Sequence, residues 1–274
     1  MRIHRGGPAV VGLALCLGAL AACDDSSGAV AGEAANPPTA SASERARTPS
    51  SAKGDRSSLD GKVVVLDPGH NGGNADHPSE ISKQVKIGNG SKECDTTGTE
   101  TKAGYAEHAF TWDVSNRLAK LLRAKGAKVA LTRQDDKGVG PCITERAAVG
   151  NRLKADAAVS IHADGAAASG HGFHIIEPVS IGRNAEMVSG SARLGKALRD
   201  AYHEGTGLPY SNYLGKNAID RRDDLGGLNM SAVPKVFIEC GNMQNQSDAA
   251  KLSSAAFRQR IAESLAKGFE TYLG

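Results

Sequence analysis

The chain has 274 residues, 40% of them hydrophobic and 23% charged, which is enough for one sizeable core or two small ones. A mean hydropathy of −0.33 excludes a polytopic membrane protein. The net charge is only +3, Arg2 and Arg5 at the N-terminus account for most of it, and aromatic residues are 4%, so neither an electrostatic grip on nucleic acid nor a base-stacking platform is expected.

Arg2 and Arg5 precede an apolar stretch, Ala9 to Ala22, that is too short to span a bilayer and has the shape of a secretory signal. It ends in Leu20-Ala21-Ala22-Cys23, which resembles the lipobox of bacterial lipoproteins. That resemblance implies that residues 1–22 are removed, that Cys23 is lipidated, and that the protein is exported and lipid-anchored at the outer face of the cell membrane or the cell wall. Ordinary cleavage is the alternative, since Ala19-Leu20-Ala21 fits a small-x-small site. Residues 24–58 are Ser, Ala, Gly, Pro, Asp and Arg with almost no large apolar side chain. They cannot bury enough surface to offset ordering entropy, so residues 23–58 read as a disordered tether carrying the anchor. Residues 59–274 then form a single domain.

Within that domain, Lys62-Val63-Val64-Val65-Leu66 reads as a strand ended by the turn residues Asp67-Pro68-Gly69. Its unbroken apolar run suggests burial on both faces. Residues 71–104 are rich in Gly, Asn, Lys and Thr and read as a long loop. A helix is expected from Tyr105 to about Lys125, stopped by Gly126. A strand over Ala127–Thr132, a helix over Ile143–Leu153 and a buried strand over Ala157–Ile161 follow. Gly172–Glu177 reads as a strand, Ser189–His203 as a helix, Lys235–Glu239 as a strand and Ala249–Tyr272 as one final helix. This alternation predicts an α/β fold: one domain with a mainly parallel central sheet flanked by helices.

Cys16 leaves with the signal and Cys23 is the lipid site, so Cys94, Cys142 and Cys240 remain. Cys240 ends the apolar run Val236-Phe237-Ile238 and reads as a packed core thiol. Cys94 and Cys142 lie in loop sequence and are expected to form a disulfide, worth roughly 4 kcal/mol in the chain-entropy model.

The chemistry gathers at strand ends. His70 follows the first strand, His162 follows Val159-Ser160-Ile161, and Glu239 closes Val236-Phe237-Ile238. Ligands of α/β sheets bind outside the carboxyl ends of strands, so these groups can converge. On the helix from Tyr105 the apolar stripe is Phe110, Val114, Leu118, Leu121 and Leu122. At about 100° per residue Glu107 falls near the centre of that stripe. A buried carboxylate is costly unless it is paired or binds a metal. His70, Glu107 and His162 therefore make a His₂Glu set, the composition of a hydrolytic zinc site, with one Zn²⁺ per chain. His108, at the edge of the stripe, is the rival of Glu107. His77 reads as solvated, and His171 and His174 as structural.

Asp67-Pro68-Gly69-His70, Glu107 opening a helix, Leu131-Thr132-Arg133, Arg146 with Asn151 before Ser160-Ile161-His162, and Glu239-Cys240-Gly241-Asn242-Met243-Gln244-Asn245 occur in that order. Together they make the stretch from Lys62 to Leu273 resemble the zinc-dependent N-acetylmuramoyl-L-alanine amidases of the amidase-3 type. The chain departs from the common pattern at Asn71, Asp164 and Cys240, none of which removes a ligand. The resemblance implies hydrolysis of the amide between N-acetylmuramic acid and the L-alanine of the peptide stem. It also implies a role for Glu239 as the general base that carries the proton to the leaving amine. Asp164 and the segment Leu225, Gly226, Gly227 and Leu228 are expected to contact substrate. The implied partners are peptidoglycan or muropeptides and, through the anchor, the membrane, with the protein acting as a monomer. Two other readings stay open: a zinc peptidase cutting elsewhere on the stem, and a catalytically silent wall-binding lipoprotein.

Overall fold

The computed structural model describes residues 58–274. The expected signal peptide, the expected lipidation site Cys23 and the expected tether up to residue 57 lie outside the described residues. Leu59 is fully buried, and its N–H donates to the Lys125 carbonyl at 2.9 Å, so the described chain is packed from its second residue.

The elements in chain order are β1 (Val63–Pro68), α1 (Pro78–Ile81), β2 (Gln84–Lys86), β3 (Ser91–Glu93), α2 (Glu107–Ala124) and β4 (Lys128–Leu131). There follow α3 (Ile143–Leu153), β5 (Ala157–Asp164), β6 (His174–Pro178), α4 (Ala185–Thr206) and β7 (Ile219–Arg222). The last are α5 (Gly226–Asn229), β8 (Lys235–Asn242), α6 (Gln246–Leu252) and α7 (Ala255–Leu273). Six strands form one sheet in the order β4-β1-β5-β8-β6-β7, and β2 and β3 form a separate hairpin. All neighbours in the large sheet are parallel except β6 and β8. The α/β domain with a mainly parallel central sheet flanked by helices is therefore the observed fold.

Period-two alternation divides the strands between two faces. Val64 and Leu66 of β1, Val159 and Ile161 of β5, and Val236, Ile238 and Cys240 of β8 join one core with Phe110, Val114 and Leu118 of α2, Leu194 and Leu198 of α4, and Ile261, Leu265 and Phe269 of α7. Each such fully buried side chain contributes about 1.5–3 kcal/mol relative to exposure. The other face has an apolar cluster near its base, where Val65, Ala158 and Val233 pack with Val149 of α3. Further along, Asp67, Ser160, His162, Lys235, Phe237 and Glu239 alternate with the core residues and occupy this second face.

Four expectations change. Residues 71–104 carry α1 and the β2–β3 hairpin rather than a plain loop. These pieces are three or four residues long, too short for any periodicity, although Pro78 at the first turn of α1 is a helix-start signal. The final helix is two helices, α6 and α7. Asn245 accepts from the Ser247 and Asp248 N–H groups and starts α6, and Ser254 accepts from Phe257 N–H and restarts the helix as α7 after Ser253. Strand β7 goes unread in the sequence because Asp220, Arg221 and Arg222 give it the charge of an edge strand. Helix α4 starts at Ala185, four residues before the expected Ser189.

Cys94 and Cys142 form the disulfide, closing a 48-residue separation with a Cα–Cα distance of 4.4 Å. It ties the end of β3 to the start of α3, beside the bond from Ile143 N–H to the Cys94 carbonyl at 2.8 Å. Cys240 is a buried free thiol, as its apolar run implied.

Candidate active site

His70 leaves the end of β1, His162 lies near the end of β5, and Glu107 is the first residue of α2. One ligand atom from each lies within 4.8 Å of the others, a spacing that can hold a metal ion. His70 Nε2 is 3.2 Å from Glu107 Oε2, and His162 Nδ1 is 3.0 Å from Glu107 Oε1. Backbone N–H groups fix the carboxylate between them: Thr99 donates to Oε2 at 3.0 Å and Ala163 to Oε1 at 3.1 Å. His108 faces away and bonds Asp136 at 2.8 Å, so it does not join the cluster. His77 bonds Glu80 on the surface, while His174 is buried.

Two glycines make room for this convergence. A Cβ at Gly69 would come within 2.2 Å of the His162 ring. At Gly98, where φ is +77°, a Cβ would come within 2.8 Å of the His70 ring and 2.9 Å of the Glu107 carboxylate. Phe237 stacks on His162 with ring centroids 5.2 Å apart and limits its rotation.

Burial alone would raise the Glu107 pKa, but His70 and His162 outweigh it and hold the carboxylate below its ordinary range. Burial likewise opposes a charged His70, yet Glu107 and Asp95 hold its pKa well above the usual histidine value. Glu239 is different. It sits directly opposite His162 in the β5–β8 register, and its Oε2 atom is buried with no hydrogen-bond partner among the described residues. Burial first, then the charges of Glu107 and Asp164, push its pKa well above the ordinary value. The two neighbouring glutamates thus have environments that push their pKa values in opposite directions.

Beneath this site Asp67 is buried and accepts from Lys235 Nζ at 2.9 Å, Arg146 Nη1 at 3.1 Å, Thr132 Oγ1 at 2.7 Å and Ser160 Oγ. Burial disfavours its charge, but Lys235 and Arg146 reverse that and hold its pKa well below the ordinary value.

Two cavities meet at the histidines. One, of about 460 Å³, is lined by His70, His162, Ile143, Leu225, Gly226 and Phe237, with Gly227 also on its wall. The other, of about 320 Å³, is lined by His70, His162, Glu107, Asp164, Arg222 and Glu239. Of the residues expected to contact substrate, Asp164, Leu225, Gly226 and Gly227 reach a cavity. Leu228 is fully buried and lines neither, because α5 turns its side chain inward. Sequence reasoning passed over Phe237 as a site residue, although two positions from Glu239 on one strand means the same face. It also passed over Asp95 and Lys235.

A profile of N-acetylmuramoyl-L-alanine amidases matches residues 64–271. The chain belongs to this family. It is 41% identical to the N-acetylmuramoyl-L-alanine amidase Rv3717 of Mycobacterium tuberculosis over 228 residues, which cover 82% of this chain and 91% of that protein. Among solved structures, the amidase Ami1 of Mycobacterium smegmatis superposes with a TM-score of 0.75 at 41% identity, covering 79% of this chain and 98% of that one. The apo form of Ami1 from Mycobacterium abscessus gives 0.73 at 41% identity, with 79% and 100% covered. The protein is accordingly a peptidoglycan hydrolase.

Proposed function

We propose that the amidase cleaves the bond between the lactyl group of N-acetylmuramic acid and L-alanine with one zinc ion held by His70, Glu107 and His162, and with Glu239 carrying the protons. The observation behind this reading is the separation of the two glutamates: Glu107 lies between two imidazole nitrogens, and Glu239, next to them, has an unpartnered buried oxygen. The donor set fits zinc. Two imidazoles and one carboxylate leave a fourth position open, and the buried Glu107 carboxylate favours a cation beside it. When bound, zinc supplies Lewis acidity toward the amide carbonyl and toward a water molecule. Glu239 accepts a proton from the attacking water and returns it to the departing L-alanine nitrogen, which cannot leave as an anion. Asp164 and the Leu225–Gly227 wall contact the substrate in this reading, which their lining of the two cavities beside the histidines supports. The test is mass spectrometry of muropeptides after incubation with the protein. The expected products are a free lactyl carboxylate and a new L-alanine amine, lost with a chelator and restored by zinc. A cut elsewhere on the stem, or undiminished cleavage in chelator, contradicts the reading.

We also propose that residues 1–22 are a signal peptide, that Cys23 carries a lipid, and that residues 24–58 tether the catalytic domain, residues 59–274, to the outer face of the membrane. The lipobox-like Leu20-Ala21-Ala22-Cys23 and the apolar-poor stretch behind it support this. Two acyl chains give stable anchoring, and a tether keeps the enzyme close to its wall substrate. No helix among the described residues is long and apolar enough to cross a membrane. Cys23→Ser is expected to move the protein from the membrane to the soluble fraction. A variant that stays membrane-bound with unchanged processed mass excludes the lipid.

A further inference from the structure

We propose that Arg146 and Asp95 form a positioning pair that holds His70 in its metal-binding pose. The inference rests on the reading of His70 as a ligand. His70 has φ +58°, a left-handed conformation uncommon for a residue with a Cβ. Such a conformation persists only where surrounding contacts impose it. Arg146 provides them. Its Nη1 donates to the Pro68 carbonyl at 2.7 Å and to Asp67 Oδ1 at 3.1 Å. Its Nη2 donates to the His70 carbonyl at 3.0 Å and to Asp95 Oδ2 at 2.9 Å, and its Nε donates to the Pro141 carbonyl at 2.9 Å. One planar fork thereby grips the chain on both sides of Gly69 and turns Asp95 toward the imidazole.

Asp95 divides its carboxylate. Oδ2 takes the Arg146 bond, while Oδ1 lies 3.3 Å from His70 Nδ1 and also accepts from Thr96 N–H at 2.8 Å. The Thr96 carbonyl lies 3.0 Å from the same nitrogen. With these acceptors around it, Nδ1 carries the proton, and the lone pair of Nε2 faces Glu107 and the metal position. Asp95 and Arg146 are both buried, so their geometry is not averaged by solvent. The disulfide fixes their backbones as well: Cys94 precedes Asp95, and Cys142 precedes the first turn of α3, which carries Arg146. A pair serving the fold alone would need only Asp67 against Arg146. The second carboxylate, aimed at the ligand imidazole, is what a positioning role requires.

The test compares zinc affinity, measured by chelator competition, with the visible spectrum of the cobalt-substituted protein and the melting temperature of the metal-free protein. Asp95→Asn keeps the shape of the side chain and removes its charge. It is expected to weaken zinc about 10–100-fold and to shift the cobalt bands; because it also takes one of two carboxylates from the buried Arg146, the metal-free melting temperature falls, and zinc affinity is compared at a temperature where the metal-free variant remains folded. Arg146→Lys keeps a charge opposite Asp67 but loses the fork, and is expected to change both metal readouts in the same direction. If Asp95→Asn folds and binds zinc with parental affinity and an unchanged cobalt spectrum, the proposal is overturned, whatever the fate of Arg146→Lys. His70→Ala separates the two levels. Abolished zinc binding there, with Asp95→Asn unaffected, overturns only the positioning role. Unchanged zinc binding there overturns the ligand reading and the positioning role together.

Discussion

Glu239→Gln is expected to lower amide cleavage by at least about 10²–10⁴-fold, the range of general acid–base assistance, while zinc binding and the fold are retained. The side chain sits opposite His162 in the sheet but outside the cluster that can hold a metal. Glutamine fills the same space and cannot carry a proton. The same substitution has a second signature in the metal-free protein. Burial and the neighbouring Glu107 and Asp164 raise the Glu239 pKa in the folded state. A raised carboxyl pKa contributes stability that is present below the ordinary value of about 4.3 and is lost as pH rises through the folded pKa. Glutamine imitates the protonated form at every pH. Metal-free Glu239→Gln should therefore melt above the parent at neutral pH, and the difference should shrink as the pH is lowered toward 4.3. A variant that retains the parental rate, or melts lower at neutral pH, contradicts this role.

Asp67→Asn is expected to destabilise the fold by about 3–5 kcal/mol, the usual consequence of breaking a buried ion pair. Lys235 and Arg146 are 2% and 4% exposed, and both donate to this one carboxylate. Neutralising it leaves Lys235 without an ion-pair partner among the described residues and leaves Arg146 with Asp95 alone. Equilibrium unfolding in denaturant checks the figure through the shift in midpoint. A loss below about 1 kcal/mol, the ordinary range for an exposed pair, would mean that the network is solvated in solution.

Much of this arrangement was legible in the sequence because a few local rules act together. Val63–Leu66 and Val236–Ile238 are unbroken apolar runs, Ala157–Ile161 is interrupted only by Ser160, and the sheet buries all three in the centre. A residue just beyond each run must then lie at one edge, which is where His70, His162 and Glu239 are found. Glu107 stood out because a carboxylate on an apolar stripe needs a partner, and two imidazoles supply it. The pairing of Cys94 with Cys142 followed from loop sequence on both sides and an apolar strand around Cys240.

What stayed hidden has other causes. Asp95 lies in a segment whose path over the sheet is set by the disulfide and by the Arg146 fork, both long-range contacts without local periodicity. Lys235 reads as the polar start of a strand, yet Asp67, far away in sequence, draws it inside. Leu228 was expected to contact substrate with its Gly-rich neighbours, but a single helical turn buries it. The hairpin β2–β3 pairs only three residues per strand, and its Lys92 side chain is anchored by Asp224 at 2.9 Å across the chain.

The most direct test of the account is zinc stoichiometry measured together with the cleavage rate on four purified variants. His70→Ala, His162→Ala and Glu107→Gln should lose zinc and activity together, with Glu107→Gln weakened because an amide oxygen is a poorer ligand than a carboxylate. Glu239→Gln should keep close to one zinc per chain and lose the rate. If Glu239→Gln loses the metal while Glu107→Gln retains both metal and rate, the two glutamates have the opposite roles and the assignment is wrong.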